Sequence, residues 1–280
     1  MPGDDLALKL ILTPLLIGAA SLVGRRWGPS ISGWLVGFPF TSGPIALFLA
    51  LSHGAGFAAA AAVGITAGTL SQAAFCLAYA WLAPRISWAG CTLAGTAAFA
   101  AGTVLLEQVP GGPAALFGAA LAGLAGTLLL LPRLANPVRR APRPLPSWDI
   151  PLRMAVATAF VLVLTGIATH LGPRLTGLLA PFPLYAAILA VFAHRQQGSV
   201  AARAVLRGLV VGLFSFSLFF FSLAELLPRV GIGPAFTAAT AAGLSLQAVS
   251  LWMLRHPSPG RTRAALAAAR SLAGGGCPRE

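Results

Sequence analysis

The chain is cut into apolar runs of about 20 residues, separated by short turns of Gly, Pro and Arg. The runs lie at about Leu6–Val23, Pro29–Leu51, Gly56–Leu82, Ser87–Leu106 and Pro113–Leu131. Four more follow at about Ile150–Leu171, Pro173–Ala193, Val200–Leu227 and Val230–Leu254. Each is long enough to cross a hydrocarbon core of roughly 30 Å as a helix, which satisfies its own backbone polar groups in lipid. Charged residues make up only 9% of the chain, against roughly 25% in a soluble domain. Alternating strand patterns are absent, which argues against a β-barrel. The expected fold is an all-α polytopic membrane protein with about nine transmembrane helices.

The second constraint is internal repetition. Gly28 to Phe40 reads GPSISGWLVGFPF, and Gly172 to Leu184 reads GPRLTGLLAPFPL. Gly28, Pro29, Gly33, Leu35, Phe38 and Pro39 recur as Gly172, Pro173, Gly177, Leu179, Phe182 and Pro183, with no gap. The same register pairs Asp5 and Lys9 with Asp149 and Arg153, and Pro84-Arg85 with Pro228-Arg229. It also pairs Gly64, Gly68 and Ser71 with Gly208, Gly212 and Ser215. Residues 1–110 therefore read as one four-helix repeat and 149–255 as another. Between them, 111–148 hold a linking helix and a Pro/Arg-rich linker that cannot stay helical. Residues 256–280 form a basic tail with a short predicted surface helix near Arg261 to Leu272.

Five crossings before the second repeat would start it on the opposite side, so the repeats are expected to be inverted. Charge gives an independent test. Of the 19 basic residues, all but Lys9, Arg174 and Arg229 fall on the side of the linker and tail. The positive-inside rule places that side in the cytoplasm and the N-terminus outside. This distribution, between spans and in the tail, assigns the net charge of +13 to membrane topology rather than to nucleic acid. The first run lacks a basic leader and a small-residue cleavage site, so it reads as a retained helix. Cys76, Cys91 and Cys277 show neither metal-ligand nor disulfide spacing.

Pro39 lies ten residues after Pro29, about 15 Å along a helix, which is mid-bilayer. Pro183 repeats that depth. A mid-helix proline removes a backbone hydrogen bond, and the freed carbonyl must find a partner or line a wet cavity. Paired breaks of this kind mark the central site of secondary transporters. Phe38, Pro39, Thr41 and Ser42 in one copy, with Phe182, Pro183 and Tyr185 in the other, are the candidate substrate-binding residues. The structural alternative is a kink that serves packing alone. Gly64, Gly68, Ser71 and Gly208, Gly212, Ser215 fall at i, i+4, i+7, one face of a helix each, and read as helix-packing stripes. Arg203 and Arg207 share a face and suit a phosphate or lipid head group, with snorkelling as the alternative. Glu225 reads as a local partner of Arg229. Gln72 and Gln247 read as interhelical hydrogen-bonding residues. No nucleophile–base set, metal motif or phosphate loop appears, so neither an enzyme nor a cofactor is expected.

The segment Gly177 to Ala204, GLLAPFPLYAAILAVFAHRQQGSVAARA, resembles the GlpM-like family of small bacterial inner-membrane proteins. The likeness rests on a Gly-Leu-x-x-x-Phe-Pro segment and on Arg203. Ala59 stands at the matching place in the first repeat. The resemblance implies a four-helix unit in the bacterial inner membrane and a role in envelope exopolysaccharide production. Two functions follow as expectations. One is a transporter or flippase, acting on a lipid or lipid-linked intermediate at the two Phe-Pro breaks. The other is a non-transporting accessory protein that scaffolds envelope-biosynthesis partners within the lipid bilayer.

Overall fold

The computed structural model describes residues 10–132 and 149–255, apart from 17, 19–21 and 23–27. The basic linker, the tail with its predicted surface helix and much of the first span lie outside the described residues. Ten helices follow in order: α1 Gly28–Val36, α2 Ser42–His53, α3 Ala55–Leu82, α4 Trp88–Glu107 and α5 Pro113–Leu130. After the linker come α6 Asp149–Gly166, α7 Ala168–Leu179, α8 Leu184–Gln197, α9 Ser199–Val230 and α10 Ile232–Arg255. Residues 10–16 are also helical, and no strand occurs among the described residues.

The fold is all-α, and among the described residues five helices (α3, α4, α5, α9 and α10) are long and apolar enough to cross a membrane. Together α7 and α8, bent by 44° at their break, make a sixth candidate span. The outer helices α4, α5 and α10 point large apolar side chains outward, including Leu93 at 73% exposure and Leu129 at 87%. Water would penalise such a belt, and lipid accepts it. The chain is a multi-pass membrane protein.

At the centre lie α3 and α9, in matching positions of the two repeats. They are the most buried of the long helices and touch each other. The alanine-rich first half of α3, with Ala58, Ala61 and Ala62 fully buried, lets neighbours come close. Packed against both is α5. It receives Leu70 of α3 over Gly123, and its Phe117 stacks on Phe221 of α9 at 4.4 Å. Local signals set the ends. Ser87 caps α4 by accepting from the Gly90 N–H at 3.4 Å, and Pro113 opens α5. Gly54 (φ 88°) and Gly198 (φ 90°) occupy matching turns where a side chain would be strained.

Three element ends depart from the sequence reading. The sixth run stops at Gly166, not Leu171. The chain restarts at Ala168 and turns again at Gly172 (φ 74°), after which Pro173 opens the helix proper. The eighth run continues through Pro228 to Val230, its last turn braced by Arg229 on Glu225 at 2.7 Å. Gly231 (φ 79°) then makes the turn expected at Pro228-Arg229.

Candidate functional site

Each Phe-Pro pair breaks its helix the same way. Proline has no N–H and a fixed φ, so the helical ladder cannot pass through it. The Phe40 N–H turns back to the Phe38 carbonyl at 2.8 Å, and the Leu184 N–H to the Phe182 carbonyl at 2.7 Å. Pro183, at φ −79° and ψ 48°, has the backbone of an inverse γ-turn. The helix restarts at once, with Gly43 N–H donating to Pro39 O and Ala187 N–H to Pro183 O.

The turn leaves the Ala180 carbonyl without its helical donor, because the Leu184 N–H is spent on Phe182. Ser42 Oγ in the other repeat donates to it at 2.8 Å. The two breaks are therefore bonded to each other. Ala186 stands at the position matching Ser42 and has no hydroxyl to offer in return.

Between the breaks lies a small, partly open cleft. Its walls include all seven sequence-predicted substrate residues: Phe38, Pro39, Thr41, Ser42, Phe182, Pro183 and Tyr185. Gln72 of α3 and Phe216 of α9 close it from matching positions. The Phe182 ring is set edge-on against Phe99 of α4 at 5.2 Å, and Phe38 lies 6.4 Å from Phe219. None of the lining side chains is charged. Sequence reasoning treated the two glutamines alike, and the structure separates them. Gln247 donates from Nε2 to the Trp34 carbonyl at 2.8 Å and accepts from Ser215 Oγ. Gln72 is 6% exposed and its Oε1 has no hydrogen-bond partner. The usable signal was that Gln72 breaks the repeat, falling opposite Phe216.

The glycine stripes position the breaks. A Cβ on Gly64 would come within 2.6 Å of the Arg174 carbonyl oxygen, and one on Gly68 within 2.8 Å of that of Leu178. In the other copy, Gly208 would strike the carbonyl of Ser30 and Gly212 that of Trp34. Ser30 and Trp34 are the repeat-1 counterparts of Arg174 and Leu178. So α1 of the first repeat seats on α9 of the second, and α7 of the second on α3 of the first. Reciprocal contacts of this kind are isologous, those of a local twofold relation. The serines complete the pattern. Thr103 donates to Ser71 Oγ at 3.2 Å, and Thr103 is the counterpart of Gln247, which Ser215 meets.

Arg203 and Arg207 stand apart from the cleft. Arg203 Nε donates to the Ala80 carbonyl at 3.1 Å and Arg207 to that of Leu128 at 3.4 Å. Both carbonyls lie in the last turns of helices, α3 and α5, where cations and donors are favoured. On another face, Arg174 does the same for Leu106 at 3.0 Å, at the end of α4.

No protein-family model, curated protein or solved structure matches the chain.

Proposed function

We propose that this protein is a membrane transporter whose substrate site is the cleft between the two Phe-Pro breaks. The observation that carries the reading is the cleft itself. Two matching helix breaks, far apart in the chain, meet around one partly open space that contains hydroxyls and an amide. A packing kink has no need of either. Nine crossings complete the reading, with α1–α2 and α7–α8 each a single broken span and the two repeats inverted across the membrane. The arginine distribution supports a cytoplasmic C-terminus. The likeness of residues 177–204 to GlpM-like proteins supports the bacterial inner membrane. The cleft is small and walled by few residues, so the cargo is a small solute or the head group of a lipid.

Cysteines introduced at Thr41 and Tyr185, in a Cys277→Ser background whose remaining Cys76 and Cys91 are buried, test the reading in oriented vesicles. Alternating access expects a membrane-impermeant maleimide to reach each site from either face, at rates that change when the other face is labelled first. No labelling from either face would mean a dry centre and would return the protein to the scaffolding role.

A further inference from the structure

We infer that the cleft selects an uncharged ligand that donates an N–H or O–H hydrogen bond to Gln72 Oε1. This rests on the cleft being the substrate site. The first ground is Gln72 itself. Its side chain is buried, lines the cleft, and leaves its acceptor oxygen unpartnered. Such an atom carries a full desolvation cost until something donates to it. The second ground is that no donor on the wall reaches that oxygen. Pro39, Pro181 and Pro183 line the space and bring carbonyls without N–H groups. The Ser42 hydroxyl, a natural donor, is committed to Ala180. A donor for that oxygen has to come from outside the wall.

The third ground is charge. A carboxylate or phosphate would find no Lys or Arg on the cleft wall, and an ammonium would find no carboxylate. Either ion would enter the membrane interior unpaired, which is costly. The remaining walls, Phe38, Phe182, Phe216 and Tyr185, are aromatic and suit the apolar flank of a small polar molecule. The donor can sit on a free solute or on a lipid head group.

The test measures maleimide labelling of Thr41→Cys in the full-length protein, again with Cys277→Ser, in phosphatidylcholine vesicles, whose head group has no N–H or O–H. Urea, acetamide and glycerol should slow labelling about fivefold more than donor-free N,N-dimethylacetamide, the size of effect one neutral hydrogen bond gives. Acetate and methylammonium should not protect. A second arm adds a neutral galactolipid and no solute; protection there assigns the donor to a lipid head group. Gln72→Leu should remove the preference for donors while folding as well as the parent. Gln72→Glu should turn protection toward methylammonium. Protection by acetate, equal protection with and without donors, or unchanged preference in Gln72→Leu overturns the inference and leaves the cleft standing as a site. Absence of labelling overturns both.

Discussion

Ser42 Oγ donates to the Ala180 carbonyl oxygen at 2.8 Å, so a side chain beside one helix break holds the backbone of the other. The bond is buried and spans 138 positions in sequence. Ser42→Ala leaves that carbonyl unsatisfied, at a cost of about 1–3 kcal/mol. Thermal unfolding in detergent should show the loss. Ala186→Gly, at the matching place, breaks no such bond and should cost about 1 kcal/mol or less from helix propensity alone. Equal losses would remove the bond from any part in joining the breaks.

The glycine stripes separate packing from propensity. In an ordinary helix Gly→Ala gains about 1 kcal/mol, and Gly118 and Gly126 of α5 have open space beside them. Alanine there should raise the melting temperature. Gly64→Ala and Gly208→Ala instead drive a methyl into the Arg174 and Ser30 carbonyls. Both should lower it, each by several degrees, because the clash is with backbone. A neutral result at both sites would mean that α1 and α7 do not seat as described.

Pro39→Ala and Pro183→Ala restore a donor where each γ-turn stands. The folded amount should hold or rise, since proline costs about 3 kcal/mol in a helix interior. Labelling of Thr41→Cys should fall as the helix straightens and the cleft narrows. Paired measurement of membrane abundance and labelling decides the matter. Normal abundance with parental labelling in both variants would falsify a functional role for the breaks.

Gly54 and Gly198 make the same turn in the two copies, with φ 88° and 90°. Reporter fusions inserted at the two should report opposite faces of the membrane. The same face would exclude inversion and, with it, alternating access about a shared axis.

The breaks were legible because their cause is local. Proline in an apolar run stops a helix wherever it is placed, and the Phe38-Pro39 and Phe182-Pro183 pairs occur in register. The glycine stripes were legible for the same reason, being a spacing on one helix. What the sequence withheld was who meets whom. Nothing local to Ser42 points to Ala180. Nothing local to Arg203 and Arg207 shows that helix ends of α3 and α5 stand within their reach. Gln72 was hidden differently: an uncharged amide in a span reads as a satisfied one, and only its surroundings show an idle oxygen. The sixth run was misjudged in length because Ile167 and Gly172 look innocuous in an apolar stretch, while the helix breaks at the first and the backbone turns at the second.

The seating of α1 on α9, and of α7 on α3, bears on ancestry. A lone four-helix unit would carry a glycine groove with no helix to fill it, and the leading half of a broken second span with no groove of its own. A second copy of the same unit supplies both at once. Two such chains would have been complete only as a pair, each lending the other the leading half of its broken second span. A duplication that joined them end to end, with α5 as the added crossing, would keep that loan intact. In the alternating access proposed above, the moving parts would then be hybrids of the two copies, and the line between them would pass through Phe38-Pro39 and Phe182-Pro183, inside each gene-sized half rather than between the halves.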